Sequence, residues 1–225
     1  MKRDFTINGL MYDPYENVVY DYAGGMEDLK MAKVRTVIPA HVSFAEDRAR
    51  ILRAIKIAAR LNFQFSRDTA RAIQDCSLSI LRIEKQRLMM EMNYMMAFGA
   101  AEASLRLLWR FGLLEILLPI QAAYLVSQGF RRRNNRSNML LVLFAELDSL
   151  LAPNRPCNGS LWVALLAFHL ALVDEPRDAL VVTSFVLSVR NGGNLEKAVN
   201  KARRISKRAN KFHPEVLDAV GVMSQ

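Results

Sequence analysis

Cysteine, glycine, proline and histidine are scarce in this chain of 225 residues: 2 Cys, 10 Gly, 7 Pro and 3 His. Cys76 and Cys157 are far apart, with no second thiol or histidine at ligand spacing, so neither a disulfide framework nor a structural zinc site is expected. A reducing, intracellular setting is the default for a soluble chain of this kind. Few glycines and prolines leave little material for a turn-rich all-β fold. No apolar run is long enough to span a bilayer: the longest, Leu161 to Val173, carries His169 inside it. The opening Met-Lys-Arg-Asp-Phe is neither a secretory signal nor a transit peptide, and the compartment cannot be read.

What is present is apolar and basic. Hydrophobic residues make up 52% and charged residues 24%, which excludes disorder and supports a sizeable core. Lys and Arg number 31 against 22 Asp and Glu, a formal charge of +9 that suits a polyanionic partner without proving one.

The first forty residues differ from the rest. Asn17 to Tyr22 is a short β-prone run between a Pro14 turn and Gly24-Gly25, and Val34 to Ile38 is a second candidate strand closed by Pro39. Met26 to Ala32 reads as a short helix. From Ser43 onward helical spacing takes over, with Ser43 and Glu46 as a capping box and Ile51, Ala54, Ile55, Ala58 and Ala59 as an apolar stripe running to Arg60. Further helices are expected from Ser66 to Gln74, Arg82 to Phe98, Ala101 to Phe111 and Leu113 to Leu118. Others follow near 137–151, 159–172 and 176–190, and after the Asn191-Gly192-Gly193-Asn194 break from Leu195 to Lys211. The fold class is mainly α: a short α/β portion, 1–38, followed by an all-helical body.

Three stretches carry possible chemistry. On one helix Glu46, Arg50, Arg53, Ile57 and Arg60 fall on one stripe, and Asp47 reaches Arg50 at i,i+3. Such a face suits either plain salt bridges in solvent or an Asp–Arg pair aimed at a planar ligand, the carboxylate accepting from an amino group and the guanidinium donating. Lys2, Arg3, Asp4, Thr6 and Asn8 put cations, a carboxylate, a hydroxyl and an amide within seven residues. They suit phosphates and a ribose, or an ordinary amphipathic turn. Near the end, Lys197, Lys201, Arg204, Arg208 and Lys211 line one face of a basic amphipathic helix, fit for solvent or for RNA phosphates. The Met89-to-Met96 run reads as packing and His169 as a core histidine.

Taken together, Arg3-Asp4-Phe5-Thr6-Ile7-Asn8, then Asp21-Tyr22-x-Gly24-Gly25-x-x-Asp28-Leu29, then Glu46-Asp47-x-x-Arg50-x-Leu52-Arg53-Ala54, resemble the bacterial-type poly(A) polymerase and tRNA CCA-adding nucleotidyltransferase family. Beyond residue 120 the likeness is looser, and Leu107 to Gln121 with Arg131-Arg132-Arg133 resembles plant members. The resemblance implies a chain in three parts: the end of a nucleotidyltransferase head (1–38), a helical neck that recognises nucleotide and RNA (39–120), and a helical, RNA-binding body and tail (121–225). It implies that Lys2, Arg3, Asp4 and Asn8 hold ribose and phosphates, that Asp21 to Leu29 is a hinge, and that Glu46, Asp47 and Arg50, supported by Arg53, read the base edge. Arg131, Arg132 and Arg133 join the tail cations as RNA contacts.

The implied activity is extension of RNA 3′ ends with adenosine, or with CCA on tRNA, using ATP or CTP and Mg²⁺. The implied partners are tRNA or mRNA 3′ ends, with no membrane and no protein partner specified. This sequence has Lys2 and Lys56 where the family usually has Arg, and Gly9 where Ala is usual, so phosphate contact at Lys2 loses bidentate geometry. The family's Asp-x-Asp metal pair occurs nowhere in the sequence, and Glu146-Leu147-Asp148 sits in an apolar helix. In the family that pair precedes the Arg-Asp-Phe-Thr motif, so the resemblance places the catalytic carboxylates upstream of Met1 and implies no catalytic residue within 1–225. The chain alone is therefore expected to hold no metal tightly, to add no nucleotides, and to have a loosely ordered first forty residues. Whether it is an enzyme stays open. The alternatives are a non-catalytic RNA-binding module and a helical interaction scaffold.

Overall fold

The computed structural model describes residues 3–133, 135–151 and 156–174, together with 197, 199–201, 203 and 204. Two compact units are present, 1–136 with 144–162, and 137–143 with 163–225. The fold is mainly α, as expected.

The head segment holds a 3₁₀ turn (Thr6–Gly9), the strands β1 (Met11–Asp13) and β2 (Val18–Tyr20), the helix α1 (Gly25–Lys30) and the strand β3 (Lys33–Val34). β1 and β2 form an antiparallel hairpin, with Met11 opposite Tyr20. β3 does not join them. It runs parallel to β4 (Gln64–Phe65), pairing Val34 with Phe65. The two expected strands thus exist in shortened form but belong to different sheets. β4 escaped notice because two residues after a helix carry no periodic signal. The looseness expected of this segment has no counterpart in its packing: Phe5 and Val34 are fully buried, and Phe5 bridges Thr36.

The helical part begins with α2 (Ala40–Glu46) and α3 (Ala49–Leu61). One continuous helix from Ser43 was expected; the chain instead breaks at Asp47, which is extended (φ −146°, ψ 103°). Its carboxylate Oδ1 accepts the Ala49 amide at 3.0 Å, a local bond that competes with helix continuation. The capping box is absent as well. α2 starts three residues before Ser43, and its first amide, Ala40 N, donates to Asp68 Oδ2 at 3.0 Å. The cap expected at Ser66 is made: its Oγ accepts Thr69 N at the start of α4 (Arg67–Asp75).

α3 ends where Asn62 takes the left-handed conformation (φ 54°). Its apolar face, with Ile51, Leu52, Ala54, Ile55 and Ala58 buried, packs against α5 (Lys85–Met96) and α6 (Ala101–Arg110). Each fully buried Ile or Leu there stabilises by about 1.5–3 kcal/mol over exposure. Gly99 and Gly112, both with positive φ, follow α5 and α6 and separate them from their successors. α7 (Leu114–Leu117) and α8 (Pro119–Ser127) come next, then α9 (Met139–Leu150) and α10 (Gly159–Asp174). α6 has no capping side chain of its own; Asp148 of α9 accepts Ala101 N and Glu102 N, each at 2.9 Å. In the second unit Asn138 Oδ1 caps α9 through Leu141 N, and His169 is buried. The helix expected at 176–190 and the break at Asn191 to Asn194 lie outside the described residues.

Candidate functional site

Asp4 is the centre of the first motif. It is only 6% exposed, next in the chain to the buried ring of Phe5. Its Oδ1 accepts Phe5 N at 2.9 Å and Asn8 Nδ2 at 3.0 Å. Arg53 of α3 brings Nη2 to 3.1 Å from Asp4 Oδ2, an ion pair without hydrogen-bond alignment, so that this buried oxygen lacks an aligned donor. A buried carboxylate oxygen in that condition keeps acceptor capacity for a hydroxyl. Arg3 is exposed beside it, whereas Met1 and Lys2 lie outside the described residues. The phosphate contact expected of Lys2 therefore has no geometry here, and neither has the Met1 end, upstream of which the catalytic carboxylates were expected.

The second motif fastens the first. Asp21 receives Met26 N and Gly25 N at 2.9 Å and Ala23 N at 3.2 Å. Those amides, Met26 first and then Gly25, hold its carboxyl below the usual carboxylate range. Gly24 turns the chain with φ 75°, and a Cβ at Gly25 would lie 2.4 Å from the Thr6 carbonyl oxygen. Buried Asp28 accepts Thr6 Oγ1 at 2.6 Å and Arg35 Nε at 2.7 Å.

The third motif is assembled differently from the expected pairing. Arg50, whose side chain is 14% exposed, donates through Nη1 to Glu46 Oε2 at 3.1 Å, Ser43 Oγ at 2.9 Å and Ser43 O at 3.2 Å. Asp47 does not meet the Arg50 guanidinium. Its Oδ2 is held by Arg87 Nη2 of α5 at 2.7 Å. Sequence reasoning missed Arg87, and with it Glu91, which takes Lys56 Nζ at 3.3 Å. Arg87 and Glu91 stand one helical turn apart, a spacing that signals a pair with each other and gives no hint of Asp47 or Lys56. Of that run, Met92, Met95 and Met96 are buried, while Met89 and Met90 are exposed. The structure therefore brings Asp4, Asn8 and Arg53 together, and separately pairs Glu46 with Arg50 and Asp47 with Arg87.

The basic clusters fare unevenly. Arg131 gives its carbonyl to Trp109 Nε1 at 3.1 Å. Arg132 lies 4.5 Å from the Trp109 ring centroid, donates to Trp109 O at 2.6 Å and pairs with Glu115 at 2.6 Å. These contacts fold the loop back on α6, while Arg133 is exposed. Lys197, Lys201 and Arg204 are helical and exposed; Arg208 and Lys211 lie outside the described residues.

Two further expectations meet the fold. The sequence showed no histidine at ligand spacing from a cysteine, yet His41 Nδ1 comes within 3.7 Å of Cys76 Sγ, and its Nε2 lies 3.4 Å from Asp75. Burial, then Asp75, pushes the Cys76 thiol up, away from a reactive thiolate. Among the described residues, no three His, Cys, Asp or Glu side chains converge as metal ligands. Asp4 is engaged by Phe5, Asn8 and Arg53, and Asp148 caps α6. These residues do not fit the family's two-metal arrangement, and among the described residues none stands in for the carboxylates expected upstream of Met1. Among the described residues, no helix is long and apolar enough to cross a membrane.

Known proteins place these motifs. Residues 1–35 match the family described as the poly(A) polymerase head domain, and residues 62–125 match the probable RNA and SrmB-binding site of polymerase A. Poly(A) polymerase I of Haemophilus influenzae is 32% identical over 127 residues, 56% of this chain and 28% of that protein. The CCA-adding enzyme of Leuconostoc mesenteroides is 34% identical over 109 residues, 48% of this chain and 27% of that protein. The chain thus spans little more than a quarter of these relatives' length. Among solved structures, the Bacillus stearothermophilus CCA-adding enzyme in complex with CTP superposes with a TM-score of 0.56 at 25% identity, over 90% of this chain and 57% of that one. Residues 1–35 and 62–125 thus match the head and RNA-binding segments of the bacterial-type poly(A) polymerase and tRNA CCA-adding nucleotidyltransferase family.

Proposed function

We propose that this chain forms the nucleotide-selecting and RNA-holding part of an RNA 3′-end nucleotidyltransferase, adding adenosine or, on tRNA, CCA. The observation that carries the reading is the Asp4–Arg53 contact, which joins the head motif to the neck helix bearing Arg50. Asp4 Oδ2, buried without an aligned donor, accepts a hydroxyl of the nucleotide's ribose, and Arg3 with Lys2 faces its phosphates. Arg50 is already oriented by Glu46 and Ser43, leaving its planar fork to donate to a base edge. Asp47 accepts from the exocyclic amino group that adenine and cytosine share. Arg87 positions that carboxylate rather than touching the base. The tail cations Lys197, Lys201, Arg204, Arg208 and Lys211, with Arg131 to Arg133, take RNA phosphates. ATP or CTP is the substrate. Mg²⁺ is the metal that family chemistry requires, and the described residues assign it no ligands.

The test is nucleotide choice. Asp47→Ala and Arg50→Ala, in a chain joined to a complete family head, are expected to flatten the preference between ATP or CTP and UTP or GTP by roughly tenfold or more. A lost bidentate base contact is worth about 1–3 kcal/mol. Unchanged preference and rate in both variants would remove the base-reading role.

A further inference from the structure

The face shared by α3 and α5 continues past the nucleotide site as a run of cations and rings. Arg53, Lys56 and Arg60 stand at i, i+3 and i+7 on α3, hence on one side of it. Opposite them, Tyr94 lies on α5 and Phe98 one turn further on, with ring centroids 5.5 Å apart and planes tilted by 37°. Lys56 Nζ sits 4.9 Å from the Tyr94 centroid and Arg60 Cζ 4.9 Å from that of Phe98.

Charge on this face stays positive. Glu91, the carboxylate that reaches it, is buried and neutralised by Lys56, and among the described residues Arg60 has no ion-pair partner. Cation–ring contact stabilises the fold modestly. It gives no reason for Tyr94 to stand 44% exposed, at the end of a stripe whose first member holds Asp4. An exposed ring beside a half-buried one, interleaved with cations, is what an unpaired polynucleotide strand requires: π-faces for successive bases and positive charge for the backbone.

We propose that Tyr94 and Phe98 form a stacking track for single-stranded RNA, with Arg60 on its phosphates and Lys56 retained by Glu91. The inference rests on the 3′-end nucleotidyltransferase reading and names the form of RNA the neck takes: an unpaired end leading to the nucleotide site, rather than a duplex. Arg60 stands over one face of Phe98 and Lys56 over one face of Tyr94, so a base stacks on the ring face that the cation does not cover.

Binding of the full chain to an oligo(A) of about 12 nucleotides and to a duplex RNA, followed by anisotropy, tests it. Tyr94→Leu and Phe98→Leu keep apolar bulk and remove the π-face; each is expected to weaken oligo(A) binding about tenfold and leave duplex binding within about twofold. Tyr94→Phe is expected to bind as the parent does. Arg60→Gln is expected to lower the slope of log K against log salt by about 0.7 on the single strand. Thermal melting of each variant separates lost contact from lost fold. If the parent binds oligo(A) and both Leu variants, melting as the parent does, bind it equally, the track is overturned while the nucleotide reading stands. If the parent binds neither RNA, both readings fall together.

Discussion

Gly25 is held by space rather than by conformation. Its missing Cβ leaves room for the Thr6 carbonyl, which would otherwise be 2.4 Å away, and backbone cannot swing aside as a flexible side chain can. Gly25→Ala is therefore expected to push α1 from the 3₁₀ turn and to strain the Thr6–Asp28–Arg35 junction, at a cost of about 1–3 kcal/mol. A chemical denaturation midpoint, compared with that of the parent, measures it; an unshifted midpoint would show that the head segment carries no share of the cooperative fold. At this scale the sequence was partly legible. Asp4, Asn8 and Arg53 were singled out from pattern and do converge, because a buried Phe5 and a helical stripe fix two of the three positions. The partner of Asp47 was illegible. Arg87 lies forty residues away, and nothing local distinguishes it from any other surface arginine until α3 packs on α5.

Helices were legible where their start was written beside them. Ser66 announces α4 by a hydroxyl that accepts Thr69 N, a bond made between neighbours in sequence. α2 and α6 start without any such side chain, and their first amides go to Asp68 and Asp148. A start signal written elsewhere in the chain cannot be found by a local search, which is why Ser43 was mistaken for a cap. Asp148→Ala is expected to lower the stability of the first unit by about 1 kcal/mol, within the range of about 0.5–2 for lost caps. Hydrogen exchange at Ala101 and Glu102 reads the same loss locally: faster exchange there than elsewhere in α6 supports the cap, and a uniform change speaks against it.

At the scale of the molecule, pH reports on the second unit. Burial lowers the His169 pKa to about 4, against an unperturbed 6.5. The folded chain therefore refuses a proton that the unfolded chain accepts. Stability from this residue is complete above about pH 6.5 and declines as pH falls towards 4, by at most about 3 kcal/mol. Melting between pH 7 and pH 4 should show that decline in the parent and a shallower one in His169→Leu. Parallel curves would mean that other groups carry the acid sensitivity. A buried polar residue in an apolar run was visible in the sequence, but its degree of burial depends on packing that periodicity cannot supply.

The amides of α6 that are satisfied by Asp148 belong to a larger pattern: Cys157 N donates to Ala97 O at 2.9 Å, and Trp162 Nε1 to Asn93 Oδ1 at 2.8 Å. The stretch 144–162 is thus stitched onto the segment 93–102 from well downstream of the last recognisable motif. Deletion mapping of such a chain misleads. An allele ending between 125 and 144 would retain every family signature and still lose function, and the loss would be scored against an RNA-contact surface in the missing part. What is removed together with that surface is the far-end scaffold that closes the preceding helices.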